Sequence, residues 1–176
     1  MIVLIEIDKS GSDFFEKGYS IAVVKDKTEV YGYKVSQELT DRLLHLFKNN
    51  ELGIDTSKFN KSKQRVRIKV RAHSACIILI IKEIIKDFGG FENLVINICN
   101  DIDGHFDDIR SMLYSHLKYD VPSLDMKEHI TRAIFPKNSL VNIAAKNIRE
   151  GNKEISTYTL PKLSIEELIK IIKKVR

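Results

Sequence analysis

The chain opens with Ile2-Val3-Leu4-Ile5-Glu6-Ile7-Asp8-Lys9-Ser10-Gly11, and this segment determines the architecture. Residues 2–7 are β-branched or leucine except for Glu6, and a polar turn cluster begins at Lys9, so the pattern predicts a strand over residues 2–8. Because side chains alternate along a strand, Glu6 and Asp8 should share one face. The segment therefore predicts a largely apolar strand with an acidic residue at its carboxyl end.

Two more strands are predicted immediately after the first. Residues 19–25 and 29–35 are rich in β-branched and aromatic side chains, and Asp26-Lys27 provides a tight connection between them. Strands joined by short turns pair antiparallel, so the first three strands should form a meander. Ser36 is then expected to cap a helix, and the polar, lysine-rich residues 49–64 are expected to form a loop.

The rest of the chain alternates between helical and strand patterns. Residues 65–71 alternate strictly between basic and β-branched side chains, which predicts a half-buried strand. Ser74 is expected to cap an apolar helix that ends at Phe88, before Gly89-Gly90. Further predicted elements are a central strand over 94–99, a helix after Gly104, a less regular region between Pro122 and Pro136, a helix over 139–149, a short strand over 155–159 and a C-terminal helix over 164–176.

Length and composition indicate one α/β domain spanning residues 1–176. Hydrophobic residues make up 43% of the chain and charged residues 30%, as in globular proteins, and the net charge is a modest +5. Cys76 and Cys99 lack the spacing of a zinc site and are expected to be reduced thiols. No targeting signal and no apolar run of membrane-spanning length is visible, so a cytoplasmic protein without membrane contact is expected.

A second acidic cluster follows the predicted central strand. Asp101 and Asp103 come directly after residues 94–99, and side-by-side pairing of this strand with the first would bring them near Asp8. Clustered carboxylates repel one another unless a hard divalent cation neutralises them. The alternative is that Asp101 and Asp103 are turn and helix-capping residues. The pattern thus allows a Mg²⁺ or Mn²⁺ site formed by Asp8, Asp101 and Asp103.

The opening strand and the elements after it resemble the ribonuclease H-like superfamily. The similarity rests on Ile5-Glu6-Ile7-Asp8-Lys9-Ser10-Gly11 followed by a β-meander and a helix, and is closest to uncharacterised prokaryotic members that open with Ile-Asp-Glu-Ser-Gly-Asp. It implies a mixed sheet, with an antiparallel meander plus parallel strands, flanked by helices. It also implies a metal-dependent nuclease site with catalytic residues Asp8, Asp101 or Asp103, and Glu38 as a third carboxylate.

Two positions depart from the pattern of those relatives. Lys9 stands where they have Glu, and Asn142 in Leu140-Val141-Asn142-Ile143-Ala144-Ala145 stands where a metal-binding Asp is expected. Glu150 is an alternative source of the missing charge, or a solvated helix-end residue. A non-catalytic module with a degenerate site is therefore the second hypothesis, besides a metal-dependent nuclease.

The predicted strand over 65–71 is also a candidate nucleic-acid-binding surface. In an extended chain its basic side chains recur every ~7 Å on one face, a spacing comparable to that of phosphates along a nucleic-acid strand. The alternative is an edge strand protected by its charges against aggregation. The expected partners are nucleic acid and, through the apolar helices, a second copy in a homodimer; the candidate nucleic-acid contacts are Arg65, Arg67, Lys69 and Arg71.

Overall fold

The computed structural model describes residues 2–53, 61–89, 91–99, 104–152 and 156–173. These residues form a mixed α/β structure in which helices flank a five-stranded sheet. The strands are β1 (Ile2–Ser10), β2 (Ser20–Lys25), β3 (Glu29–Lys34), β4 (Asn93–Cys99) and β5 (Ile130–Ala133). The helices are α1 (Gln37–Lys48), α2 (Lys61–Asp87), α3 (Phe106–Leu117), α4 (Leu140–Glu150) and α5 (Ile165–Lys173).

Strand β1 lies at the centre of the sheet, whose order is β3-β2-β1-β4-β5. It pairs antiparallel with β2, which pairs antiparallel with β3, so the predicted meander is confirmed. On its other side β1 pairs parallel with β4, and β4 with β5. In the register of β1 and β4, Ile7 is level with Ile98, so both strands end at the same edge of the sheet.

The two faces of the sheet are covered by different helices. Val3, Ile5 and Ile7 of β1 point into the main hydrophobic cluster, to which α1, α2, α3 and α5 all contribute. The opposite face packs against α4, in a smaller cluster formed by Ala22, Val24, Val30, Val141, Ala144, Ala145 and Ile148. Because side chains alternate along β1, Glu6 and Asp8 lie on the α4 face.

The prediction of a strand over residues 65–71 is wrong, because these residues belong to α2. This helix continues without a break from Lys61 to Asp87, so none of the described residues between α1 and β4 forms a strand, and the order of strands differs from the expected one. Ser74, predicted to be a cap, lies inside α2, and its hydroxyl donates to the Val70 carbonyl at 2.9 Å. The alternation over seven residues also fits a helix, since the basic residues at 65 and 69, and at 67 and 71, are each one turn apart.

The other predicted elements have mixed outcomes. The cap predicted at Ser36 is confirmed, since its side chain accepts a hydrogen bond from the Leu39 backbone N–H. The helix predicted over 139–149 is present as α4, and Ser139, expected as its first residue, is its N-cap. Strand β5 was not predicted and lies within the region expected to be less regular. Of the short strand predicted over 155–159, Ile155 lies outside the described residues and Thr159 forms an isolated bridge with Tyr31.

Gly32 of β3 sets how closely α4 approaches the sheet. A Cβ atom at this position would lie 2.2 Å from Ile148 Cδ1 and 3.0 Å from the Ile21 carbonyl oxygen. We expect Gly32→Ala to lower the free energy of unfolding by ~1–3 kcal/mol, the usual cost of overpacking, in urea denaturation. Adding Ile148→Val, which shortens the obstructing side chain, should recover part of this loss. If the losses in free energy of unfolding of the two single variants simply add in the double variant, the close contact between positions 32 and 148 is contradicted.

Candidate active site

Asp8 is the one acidic side chain among the described residues that is buried, with 2% of its surface exposed. It lies near the carboxyl end of the central strand β1, on the face covered by α4. Its Oδ1 accepts a hydrogen bond from the Lys9 backbone N–H at 2.8 Å, and its Oδ2 accepts one from Asn142 Nδ2 at 3.0 Å. Burying a carboxylate lowers stability unless hydrogen-bond donors replace its lost hydration, and the Lys9 N–H and the Asn142 amide provide such donors to Asp8.

Asn142 reaches Asp8 because of how α4 begins and packs. Ser139 caps the helix, and Val141, Ala144 and Ala145 bury its apolar stripe against the sheet. Asn142 lies next to that stripe, in the first turn, and is half-buried. The position at which the resemblance implies a metal-binding Asp therefore contacts Asp8 directly, but with an amide instead of a carboxylate.

Additional polar side chains extend from Asp8 across the parallel part of the sheet. Glu6 is level with Asn97 of β4, and Asn97 Oδ1 accepts a 2.6 Å hydrogen bond from the Thr131 hydroxyl on β5. All three are partly exposed. Because they alternate with buried apolar residues, they share the face that carries Asp8, with Glu6 about 7 Å from Asp8 along the strand. Asn97 and Thr131 were not predicted as site residues, because only the strand register aligns them with Glu6.

The other predicted carboxylates have different positions. Asp101 and Asp103 lie outside the described residues. Glu38 is exposed at the start of α1, and the apolar residues of that helix join the main cluster on the face opposite Asp8. The structure therefore does not bring Glu38 next to Asp8. Glu150 is exposed at the last position of α4, where it pairs with Arg149 at 3.2 Å.

The four basic residues of 65–71 do not form one surface. On α2, Lys69 forms an ion pair with Asp13, and the Arg65 guanidinium lies 5.4 Å from the centre of the Phe15 ring. Burial alone would raise the pKa of Asp13, but hydrogen bonds from Lys69 and from the Phe15 backbone N–H hold that pKa below its ordinary value. Arg67 and Arg71 lie on another side of the helix, facing α3. Instead of the single basic face expected of a strand, these residues form two separate pairs: Arg65 with Lys69, and Arg67 with Arg71.

The residues around Asp8 are oxygen donors of the kind that hard divalent cations prefer. Carboxylate oxygens of Asp8 and Glu6 and amide oxygens of Asn97 and Asn142 suit Mg²⁺ or Mn²⁺, and Mg²⁺ typically takes only one or two carboxylates along with water. Within the described ranges, no group of three or more His, Cys, Asp or Glu side chains is arranged to hold a metal ion. A cation here would therefore depend on Asp8 together with amide oxygens, water or residues beyond the described ranges.

Comparisons with protein-family models, with curated proteins and with solved structures found no match for this chain. Among the residues that the structure describes, no helix has the length and apolar character needed to cross a membrane.

Proposed function

We propose that this chain is a divalent-metal-dependent nucleic-acid-processing protein, a phosphodiesterase with a ribonuclease H-like fold, in which Asp8 is the first metal ligand. The observation that carries this proposal is the burial of Asp8 at the carboxyl end of a central strand with an antiparallel neighbour on one side and a parallel one on the other. Such an antiparallel meander with parallel strands beside it is the arrangement that the resemblance implies.

The residues around Asp8 have defined roles in this proposal. The Asp8 carboxylate binds the cation, and the Asn142 amide fixes the orientation of that carboxylate through Oδ2. Glu6 and Asn97 offer further oxygen ligands on the same face. A bound Mg²⁺ or Mn²⁺ would supply a water of lowered pKa and would stabilise the leaving oxygen of a phosphodiester.

A non-catalytic module on the same fold is the second candidate, and a specific observation favours it. Asn142 donates a neutral hydrogen bond to Asp8 at 3.0 Å, so the buried carboxylate is stabilised without a cation. An amide also holds a divalent cation less firmly than a carboxylate does. In this case the protein would bind nucleic acid or another protein without cleaving it.

The Asp8→Asn variant tests the proposal. Asn has nearly the shape of Asp and can keep a hydrogen bond to Asn142, so the fold should persist while the charge is lost. We expect Mn²⁺ binding to be lost and metal-dependent cleavage of labelled RNA, DNA or hybrid to fall by about a hundredfold or more, the order seen when one charge-stabilising group is removed from an active site. Mn²⁺ binding is measured by electron paramagnetic resonance and cleavage by gel electrophoresis.

Asp41→Asn is the matched control, because Asp41 is an exposed α1 residue whose loss removes the same charge elsewhere. It should leave cation binding and cleavage unchanged. Unchanged binding and cleavage in Asp8→Asn would show that the site is assigned incorrectly. A wild-type protein that cleaves no substrate but binds nucleic acid in a salt-sensitive manner would support the non-catalytic module instead.

A further inference from the structure

A cleft of about 440 Å³ lies between α2 and α3. Both helices pack in the main cluster, so the cleft is on the opposite face of the sheet from Asp8 and is independent of the proposed active site. Its volume is within the range of small-molecule sites, which is about 300–1,000 Å³. The residues that line it are Arg67, Val70, Arg71, Asp108, Ser111, Met112 and Ser115.

Arg71 is the residue that most strongly indicates an anionic ligand. It is partly buried, and its guanidinium makes a 3.4 Å hydrogen bond to the Ile172 carbonyl, which carries no charge. Among the described residues, no carboxylate lies within ion-pair distance of Arg71. Burial, followed by the proximity of Arg67, lowers the pKa of Arg71, and the negative charge of Asp108 offsets this only in part. A partly buried cation lowers stability when no carboxylate is close enough to pair with it, and an anion bound in the cleft would provide the missing counter-ion.

The spacing of the polar side chains suits a compact dianion. Arg67 and Arg71 are one helical turn apart on α2, about 6 Å along the axis, so both guanidinium groups can reach one ligand group. A phosphate monoester carries about −1.5 to −2 charges at neutral pH, and guanidinium groups bind its oxygens in a bidentate manner. The Ser111 hydroxyl on the facing helix is exposed and can donate a further hydrogen bond.

The other residues of the cleft limit how a ligand would lie in it. Asp108 would repel an anion, and its Oδ2 is 3.0 Å from His105 Nδ1, so the anionic group must lie toward the two arginines. The Asp108 carboxylate itself favours hydroxyl groups, which can donate to it. Val70 and Met112 add apolar side chains to the lining of the cleft. A phosphate with an attached sugar and a flat apolar base has this combination of groups.

We propose that the α2–α3 cleft binds a phosphate monoester, carried either by a free nucleotide or by the 5′ end of a nucleic-acid strand. Arg67 and Arg71 would hold the phosphate and Ser111 would add a hydrogen bond. Arg65 and Lys69 would not reach this ligand, because they lie on another side of α2, where they contact Phe15 and Asp13.

Calorimetric titration with four probes tests this site and distinguishes the two sources. The probes are adenosine 5′-monophosphate, adenosine, and one short single-stranded DNA with either a 5′-phosphate or a 5′-hydroxyl. We expect each phosphorylated probe that binds to do so about tenfold more tightly than its unphosphorylated partner, the effect of one charged hydrogen bond. Binding of the mononucleotide indicates that the ligand is a free nucleotide. A preference for the 5′-phosphate that appears only with the DNA probes indicates that the ligand is a strand end.

Arg67→Ala should weaken binding of the phosphorylated probe about tenfold, and Arg71→Gln at least as much. Arg67 is exposed, so its replacement tests the site even if Arg71→Gln proves unstable. Arg65→Ala is the control, since it removes the same charge from another side of α2. The affinity of this variant for the phosphorylated probe should stay within about twofold of the wild type. Equal affinity for phosphorylated and unphosphorylated probes, or equal losses in Arg65→Ala and Arg67→Ala, would overturn the proposal. Neither result depends on cation binding at Asp8.

Discussion

Replacing Asn142 with Asp should make the stability of this protein strongly dependent on divalent cations. In the wild type, Asn142 Nδ2 donates to Asp8 Oδ2 at 3.0 Å. The substitution removes that donor and puts a second carboxylate beside a buried one. Without divalent cations at neutral pH, we expect the free energy of unfolding to fall by about 3 kcal/mol, because the buried carboxylate loses one hydrogen-bond donor and gains a like charge beside it.

The loss of stability in Asn142→Asp should become larger as pH rises. Two adjacent carboxylates cannot both ionise easily, so the pKa of one of them should be higher in the folded variant than in the unfolded chain. The folded variant then binds more protons than the unfolded chain, and stability falls as pH rises through this interval. Urea denaturation should therefore show a small loss near pH 4, where unfolded Asp is about half protonated, and the full loss at about pH 8.

Divalent cations should reverse the effect if the Asp8 site is a degenerate metal site. A cation held between Asp8 and the new carboxylate binds only the folded state, and it adds about 2.7 kcal/mol when its concentration is about a hundred times its dissociation constant. Asn138→Asp is the matched control, because Asn138 is exposed just before α4. If Mn²⁺ stabilises Asn142→Asp no more than Asn138→Asp, the metal-site proposal for Asp8 is contradicted.

The sequence predicts those elements whose signals are local. The opening strand follows from a β-branched run ended by a turn cluster, and the cap at Ser36 follows from a hydroxyl placed three residues before the N–H from which it accepts a hydrogen bond. The pairing of β2 with β3 follows from a tight connection, in which Asp26 and Lys27 adopt positive φ angles of 48° and 60°. None of these features requires information from distant parts of the chain.

Strand β5 could not be predicted because it depends on a distant partner. Ile130–Ala133 has four residues, and only Ile130 is fully buried, so its local pattern is weak. The strand exists because it pairs with β4, from Ile96 to Cys99, about thirty residues earlier in the chain. Short edge strands of this kind are defined by the sheet that they join, and less by their own composition.

The candidate site was predictable in part. Alternation along the first strand places Glu6 and Asp8 on one face, and the resemblance singles out Asn142, whose amide contacts Asp8 in the structure. Asn142 is 134 residues from Asp8 in sequence, so residue patterns alone could not pair them. The division of the basic residues into two pairs was missed because it depends on whether residues 65–71 are extended or helical.

Two alanine substitutions in that segment distinguish a helix from a strand. In α2, Ile68 is fully buried, whereas Val66 is only partly buried. In the predicted strand both would lie on the same buried face. We expect Ile68→Ala to lower the free energy of unfolding by ~2–5 kcal/mol, the cost of a large cavity in a core, and Val66→Ala to lower it by about 1 kcal/mol or less.

The comparison is well controlled, because both variants introduce the same residue into the same segment. Alanine has the highest helix propensity and replaces a β-branched residue in each case, so any gain in propensity is similar at the two positions. The difference in urea midpoints, at unchanged m-values, then reports burial alone. Equal losses at the two positions would favour the extended conformation, and the two basic pairs on which the phosphate-binding cleft depends would no longer be separated.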